Sequence, residues 1–144
     1  MLKVMVIDGQ GGGLGRQLVA AIKAQCPGVR VLAVGTNSAA TSAMLRAGAD
    51  QAATGENAIV VGCRKADVIL GPVGIVIADA MLGEITPRAA AAVGQSSAAR
   101  ILVPVNQCDT LVAGVQELPM SRLVQSAVDT LQNICIPDQM AGSR

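Results

Sequence analysis

The sequence predicts an α/β protein: one doubly wound domain with a mostly parallel sheet of about six strands and an antiparallel edge strand. Three observations carry that expectation. Apolar, β-branched runs recur at residues 2–8, 29–34, 67–70 and 100–105, the pattern of strands covered on both faces. Segments with helical spacing alternate with them. The first run also ends in Gly9-Gln10-Gly11-Gly12-Gly13-Leu14-Gly15, after which Leu14, Leu18, Ala21 and Ile22 continue at helical intervals.

Pro27-Gly28 stops the first helix, and the second strand turns at Gly35-Thr36-Asn37-Ser38, where Asn37 or Ser38 caps a helix over 39–47. A short strand over 49–54 precedes a helix that closes on Arg64-Lys65, cations suited to a helix C-terminus. After the fourth strand, the run 75–82 carries only Asp79 among apolar side chains and reads as a buried helix, with Arg88 the expected partner for that charge. Thr86-Pro87 restarts a helix with a cap and a proline at its first position. Residues 111–115 read as the sixth strand, antiparallel because the connection from the fifth is too short to cross over. A last amphipathic helix buries Leu123, Val124, Ala127, Val128 and Leu131; the domain is expected over 1–136, with 137–144 a tail.

The chain has 144 residues, 51% of them hydrophobic and 15% charged, and 11 Lys and Arg against 10 Asp and Glu leave a net charge of +1. That balance argues against nucleic-acid partners. The longest uncharged apolar run, 68–78, is far short of the roughly 20 residues that cross a membrane, and residues 1–8 lack the apolar core of a signal peptide, so a cytoplasmic protein is expected. Phe, Tyr, Trp and His are all absent, which excludes Ser-His-Asp and Cys-His catalysis, imidazole metal ligands and Tyr acids supplied by this chain. Cys26, Cys63, Cys108 and Cys135 form no CxxC pair and read as reduced structural thiols, Cys108 alone standing near a strand end; no metal site is expected.

The chemistry lies in the glycine loop. Glycines let the backbone approach a phosphate, and free amides with the positive end of the following helix favour an anion. The cofactor-binding candidates are Asp8, Gly9, Gln10, Gly11, Gly12, Gly13, Leu14, Gly15 and Arg16, joined by Thr36, Asn37 and Ser38 after the second strand. The plain alternative is tight helix-on-strand packing. The pattern G-x-G-x-x-G fails in every register, whereas G-x-x-x-G-x-G fits Gly9, Gly13 and Gly15. This resembles the cofactor loop of the short-chain dehydrogenase and reductase superfamily over roughly residues 1–50, and implies a bound dinucleotide. It departs from that superfamily in having no Tyr-x-x-x-Lys pair and in carrying Asp8 where a threonine is usual; Asp8 would repel a pyrophosphate unless it points away or holds a loop amide. The second strand ends without the acid that takes a ribose 2′-hydroxyl in NAD sites. Neutral donors stand there instead, with Arg16 and Arg46 nearby, so NADP(H) is favoured and Arg16, Thr36, Asn37 and Ser38 are the candidate 2′-phosphate contacts.

Nearly the whole chain is similar to a family of short bacterial Rossmann-like proteins, a domain of unknown function, that open with Ile-Asp-Gly-Gln-Gly-Gly-Gly. Residues 7–13, 35–38, 40–45, 53–60 and 81–87 carry the similarity, which implies the Rossmann-like fold and no particular reaction. Asp8, Thr36, Asn37, Thr54, Glu56, Asn57 and Asn106 are expected near one rim of the sheet, while Glu84 and Thr86 read as the restart of a helix. Residues 75–82 with Ala89-Ala90-Ala91-Ala92-Val93 offer a surface for a homodimer, or else an interior helix. Three functions follow: a dinucleotide-binding protein acting as an oxidoreductase, a nucleotide-sensing module working with a protein partner, or an enzyme for a small phosphorylated metabolite.

Overall fold

Strand β1 (Lys3–Asp8) is buried along its length except at Lys3, and its side chains alternate between two cores. Val4 and Val6 enter one core, Met5 and Ile7 the other. The computed structural model describes residues 1–105 and 109–142, with side chains given to Cys135. Around β1 stand β2 (Arg30–Gly35), β3 (Gln51–Thr54), β4 (Val68–Pro72) and β5 (Ala99–Val103), in the order β3-β2-β1-β4-β5 and all parallel. Val6 pairs with Ala33 on one side and Leu70 on the other, so the winding reverses between β1 and β4.

The helices cover the two faces. On one face α1 (Gly13–Gln25) and α5 (Met120–Gly142) bury Leu18, Ile22, Val128 and Leu131 against Val4 and Val6, and α2 (Ser38–Arg46) adds Met44. On the other, α3 (Glu56–Lys65) and α4 (Pro87–Gln95) bring Ile59, Cys63, Ala89, Ala90 and Val93 against Met5, Ile7 and Ile69. The expected caps form: Asn37 accepts from the Ala40 amide at 2.9 Å, and Thr86 from the Ala89 amide at 3.1 Å. Burial pushes the Cys63 thiol up to about 11, which suits an inert core residue.

Four expectations are corrected. The sheet has five strands, not six: residues 111–115 form none, because Leu111, Val112 and Val115 stay 82%, 44% and 45% exposed and Gly114 turns at φ 80°. The run 75–82 is not an α-helix. A 3-10 helix (Val73–Val76) leads into turns in which Asp79, Met81, Leu82 and Gly83 all have positive φ, a torsion that ends any right-handed helix. Ile75 and Met81 of this run, with Ile85 just beyond it, are buried as the chain folds back. Asp79 is exposed, and Arg88 instead lies 3.4 Å from Glu56. Ala89, Ala90 and Val93 pack into this chain's own core, the interior alternative for that helix. Finally, α5 runs past Ile136 into the expected tail as far as Gly142; a proline removes one helical hydrogen bond without reversing the axis.

The packing of α5 on α1 gives a direct test. Leu131→Ala, at a fully buried position, is expected to cost about 2–5 kcal/mol in calorimetric unfolding, and Leu82→Ala, 94% exposed, less than about 0.5 kcal/mol. Equal effects would show that α5 does not close that core.

Candidate functional site

The chain leaves β1 at Asp8 and must turn at once into α1. Gly12 makes that turn: it is left-handed at φ 72°, its amide donates to the Gly9 carbonyl at 2.9 Å, and a Cβ there would come 2.9 Å from the Ala40 Cα. Gly12 has no side chain to cap the helix. Asp8 does so from four residues upstream, its Oδ2 accepting from the Gly15 amide at 2.7 Å and its Oδ1 from the Gly9 amide at 2.8 Å. The carboxylate therefore holds loop amides, and Asp8 is 6% exposed. Burial pushes its carboxyl above the ordinary aspartate value; the Gly15 and Gly9 amides pull it down, and the charge of Glu84 adds to the rise.

The amides of Gly11, Gly13 and Leu14 have no acceptor among the described residues. A Cβ on Gly11 or Gly13 would meet nothing within 4 Å, so the turn is open at those two positions. It faces a cleft of about 610 Å³ beyond the C-terminal ends of β1, β4 and β5. Pro72, Met81, Pro104 and Val105 line the floor, and Leu111, Val112, Val115 and Leu118 form an apolar wall. Asp8 and Glu117 are the charged residues of the described lining, which includes no Lys or Arg. No cluster of Cys, Asp or Glu among the described residues could hold a metal ion.

Sequence reasoning missed Glu84. It sits at the end of the turns after β4, where its nearness to Thr86 reads as helix capping, yet it reaches across the rim. Its Oε1 accepts from the Thr36 hydroxyl at 2.6 Å, the Asn37 Nδ2 at 2.7 Å and the Gln10 amide at 3.0 Å. Burial pushes the Glu84 carboxyl up, but donation from Thr36, Gln10 and Asn37 outweighs it and holds the group below its ordinary value. No local pattern announces this bond, because the partners lie 47, 48 and 74 positions away. Asn37 also donates to the Gln10 carbonyl at 2.9 Å, so the loops after β1, β2 and β4 are tied together.

The other candidates scatter. Thr36 and Asn37 stand together but are committed to Glu84; Arg16 and Ser38 are exposed, their side chains without a partner among the described residues. The Thr54 hydroxyl pairs with that of Thr41 at 2.7 Å, Glu56 faces Arg88, and Asn57 is exposed. Asn106 and Cys108 lie outside the described residues. No helix among the described residues is long and apolar enough to cross a membrane.

A parallel sheet whose winding reverses beside a glycine turn, with a cleft beyond the strand ends, defines a Rossmann-like α/β protein. The chain belongs to the family described as Domain of unknown function (DUF3842), which matches residues 3–136. Among solved structures it is similar to the dodecameric FMN-dependent UbiX-like decarboxylase from Escherichia coli O157:H7, at 21% identity and a TM-score of 0.46, over 92% of this chain and 75% of that one. No curated protein matches the sequence.

The two carboxyls predict opposite pH behaviour. Glu84, lowered in the folded state, adds stability above the unfolded value of about 4.3 that is lost as pH falls through its folded value. Asp8, raised, does the reverse: its contribution is greatest below about pH 3.9 and falls as pH rises through the folded value. Melting of the native chain against Glu84→Gln and Asp8→Asn between pH 3 and 7 should therefore give differences that grow with pH for the first and shrink for the second. The same slope in both would refute the assignment.

Proposed function

We propose that this protein binds a nucleotide-derived ligand, a dinucleotide or a mononucleotide cofactor, with a phosphate on the amides of Gly11, Gly13 and Leu14. One observation carries the reading: three unpaired amides at and just before the start of α1, with open space where a side chain on Gly11 or Gly13 would stand, line a cleft of about 610 Å³. Backbone amides and the helix dipole bind an anion without a cationic side chain, and the cleft lies within the usual size range of ligand sites. The apolar wall from Leu111 to Leu118 would receive a flat ring. Asp8, engaged with the Gly9 and Gly15 amides, is held in place beside the phosphate and is not free to act as a base.

The expectation of NADP(H) rested on Arg16, Thr36, Asn37 and Ser38 as contacts to a 2′-phosphate. Thr36 and Asn37 give their hydrogen bonds to a carboxylate, so that preference has lost its main support. Binding is the function proposed; an oxidoreductase role would draw its redox chemistry from the cofactor.

Calorimetric melting tests this, since the chain has no Tyr or Trp to report by fluorescence. NAD, NADP, FMN, ATP and ribose 5-phosphate would each be added in turn. A ligand at about 100 times its dissociation constant adds roughly 2.7 kcal/mol, or about 5–10 °C in the midpoint. Gly13→Asp puts a carboxylate on the open cradle at a helix position that favours one, so it should leave the bare melting point intact and abolish the shift. No shift with any nucleotide would overturn the reading.

A further inference from the structure

We propose that Glu84 reads the ribose of the bound nucleotide, accepting from an unmodified 2′,3′-diol on its Oε2 and excluding a 2′-phosphate. The inference rests on the nucleotide reading and deepens it. In doubly wound sheets an acid at the end of the second strand takes the ribose hydroxyls. Here β2 runs out into Thr36-Asn37-Ser38 with no acid, and the carboxylate arrives at the same place from the connection after β4. Its Oε1 is filled by three donors, while Oε2 accepts nothing among the described residues.

Glu84 stands outside the lining of the cleft and adjoins the phosphate cradle through Gln10. Gln10, whose amide donates to Glu84, is followed directly by Gly11, the first of the unpaired amides. The side chain is half-buried and fixed by bonds from two other loops, so its free oxygen is oriented before any ligand arrives. It is held ionised at neutral pH by those donors. A second anion at this point meets an unneutralised carboxylate, and the donors that would otherwise welcome it, Thr36 and Asn37, are already used.

Titration calorimetry of the full chain with AMP, 2′-deoxy-AMP and adenosine 2′,5′-bisphosphate tests the assignment. AMP should bind about tenfold or more tightly than either of the others, the scale of one hydrogen bond to a charged group. Glu84→Gln should bring all three within about threefold of one another, with the melting point as a check on folding. Glu84→Asp, which keeps the charge and withdraws the oxygen, should lose the preference for AMP over 2′-deoxy-AMP and still reject the bisphosphate. Binding of all three by the native chain with equal affinity overturns this inference and leaves the nucleotide reading standing. Binding of none overturns this inference, and the nucleotide reading falls with it only if NAD, NADP, FMN, ATP and ribose 5-phosphate also leave the melting point unmoved.

Discussion

The rim of this sheet depends on the Asp8 carboxylate, which satisfies two amides on opposite sides of one turn. A helix that starts immediately after a buried strand leaves its first amides without partners, and the glycines of the turn carry no oxygen to offer them. Asp8 supplies both of its own. It is the one buried charged residue among those described, and such a group is tolerated only when its hydrogen bonds are met. With Gly9 and Gly15 fixed in this way, the amides of Gly11, Gly13 and Leu14 are left unpaired at the edge of the cleft.

Glu84 does for the loops what Asp8 does for the turn. Its partners come from the connections after β1 and β2, while it belongs to the connection after β4, so one oxygen gathers three segments that are distant in sequence. The positive φ values at Asp79, Met81 and Leu82 belong to the same arrangement. They bend the chain back so that Met81 and Ile85 are buried beneath the rim and Glu84 lies between them in sequence, facing the loops. Local torsion is traded for a contact that no regular helix over the same residues would make.

The parallel core was legible because β1, β2 and β4 are buried on both faces and read as continuous apolar runs. The turn after β1 was legible because five glycines within seven residues have few other uses, and the caps at Asn37 and Thr86 because a cap is a local event. Apolar content alone misled at 75–82 and 111–115. In the first stretch burial comes from a folded-back loop, and in the second the apolar side chains form the wall of a cleft, so neither follows a helical or strand period. Thr36 and Asn37 were found as a pair of donors, but what they donate to was hidden, since it enters from 47 and 48 residues away.

The meeting of three loops on one oxygen also sets how this end of the molecule opens. The Gln10 amide is sealed by a group that belongs to the segment after β4, so its exchange with solvent is gated by the departure of that segment. Withdrawal of that one carboxylate would strip a partner from Gln10, Thr36 and Asn37 together, which links the opening of the three loops.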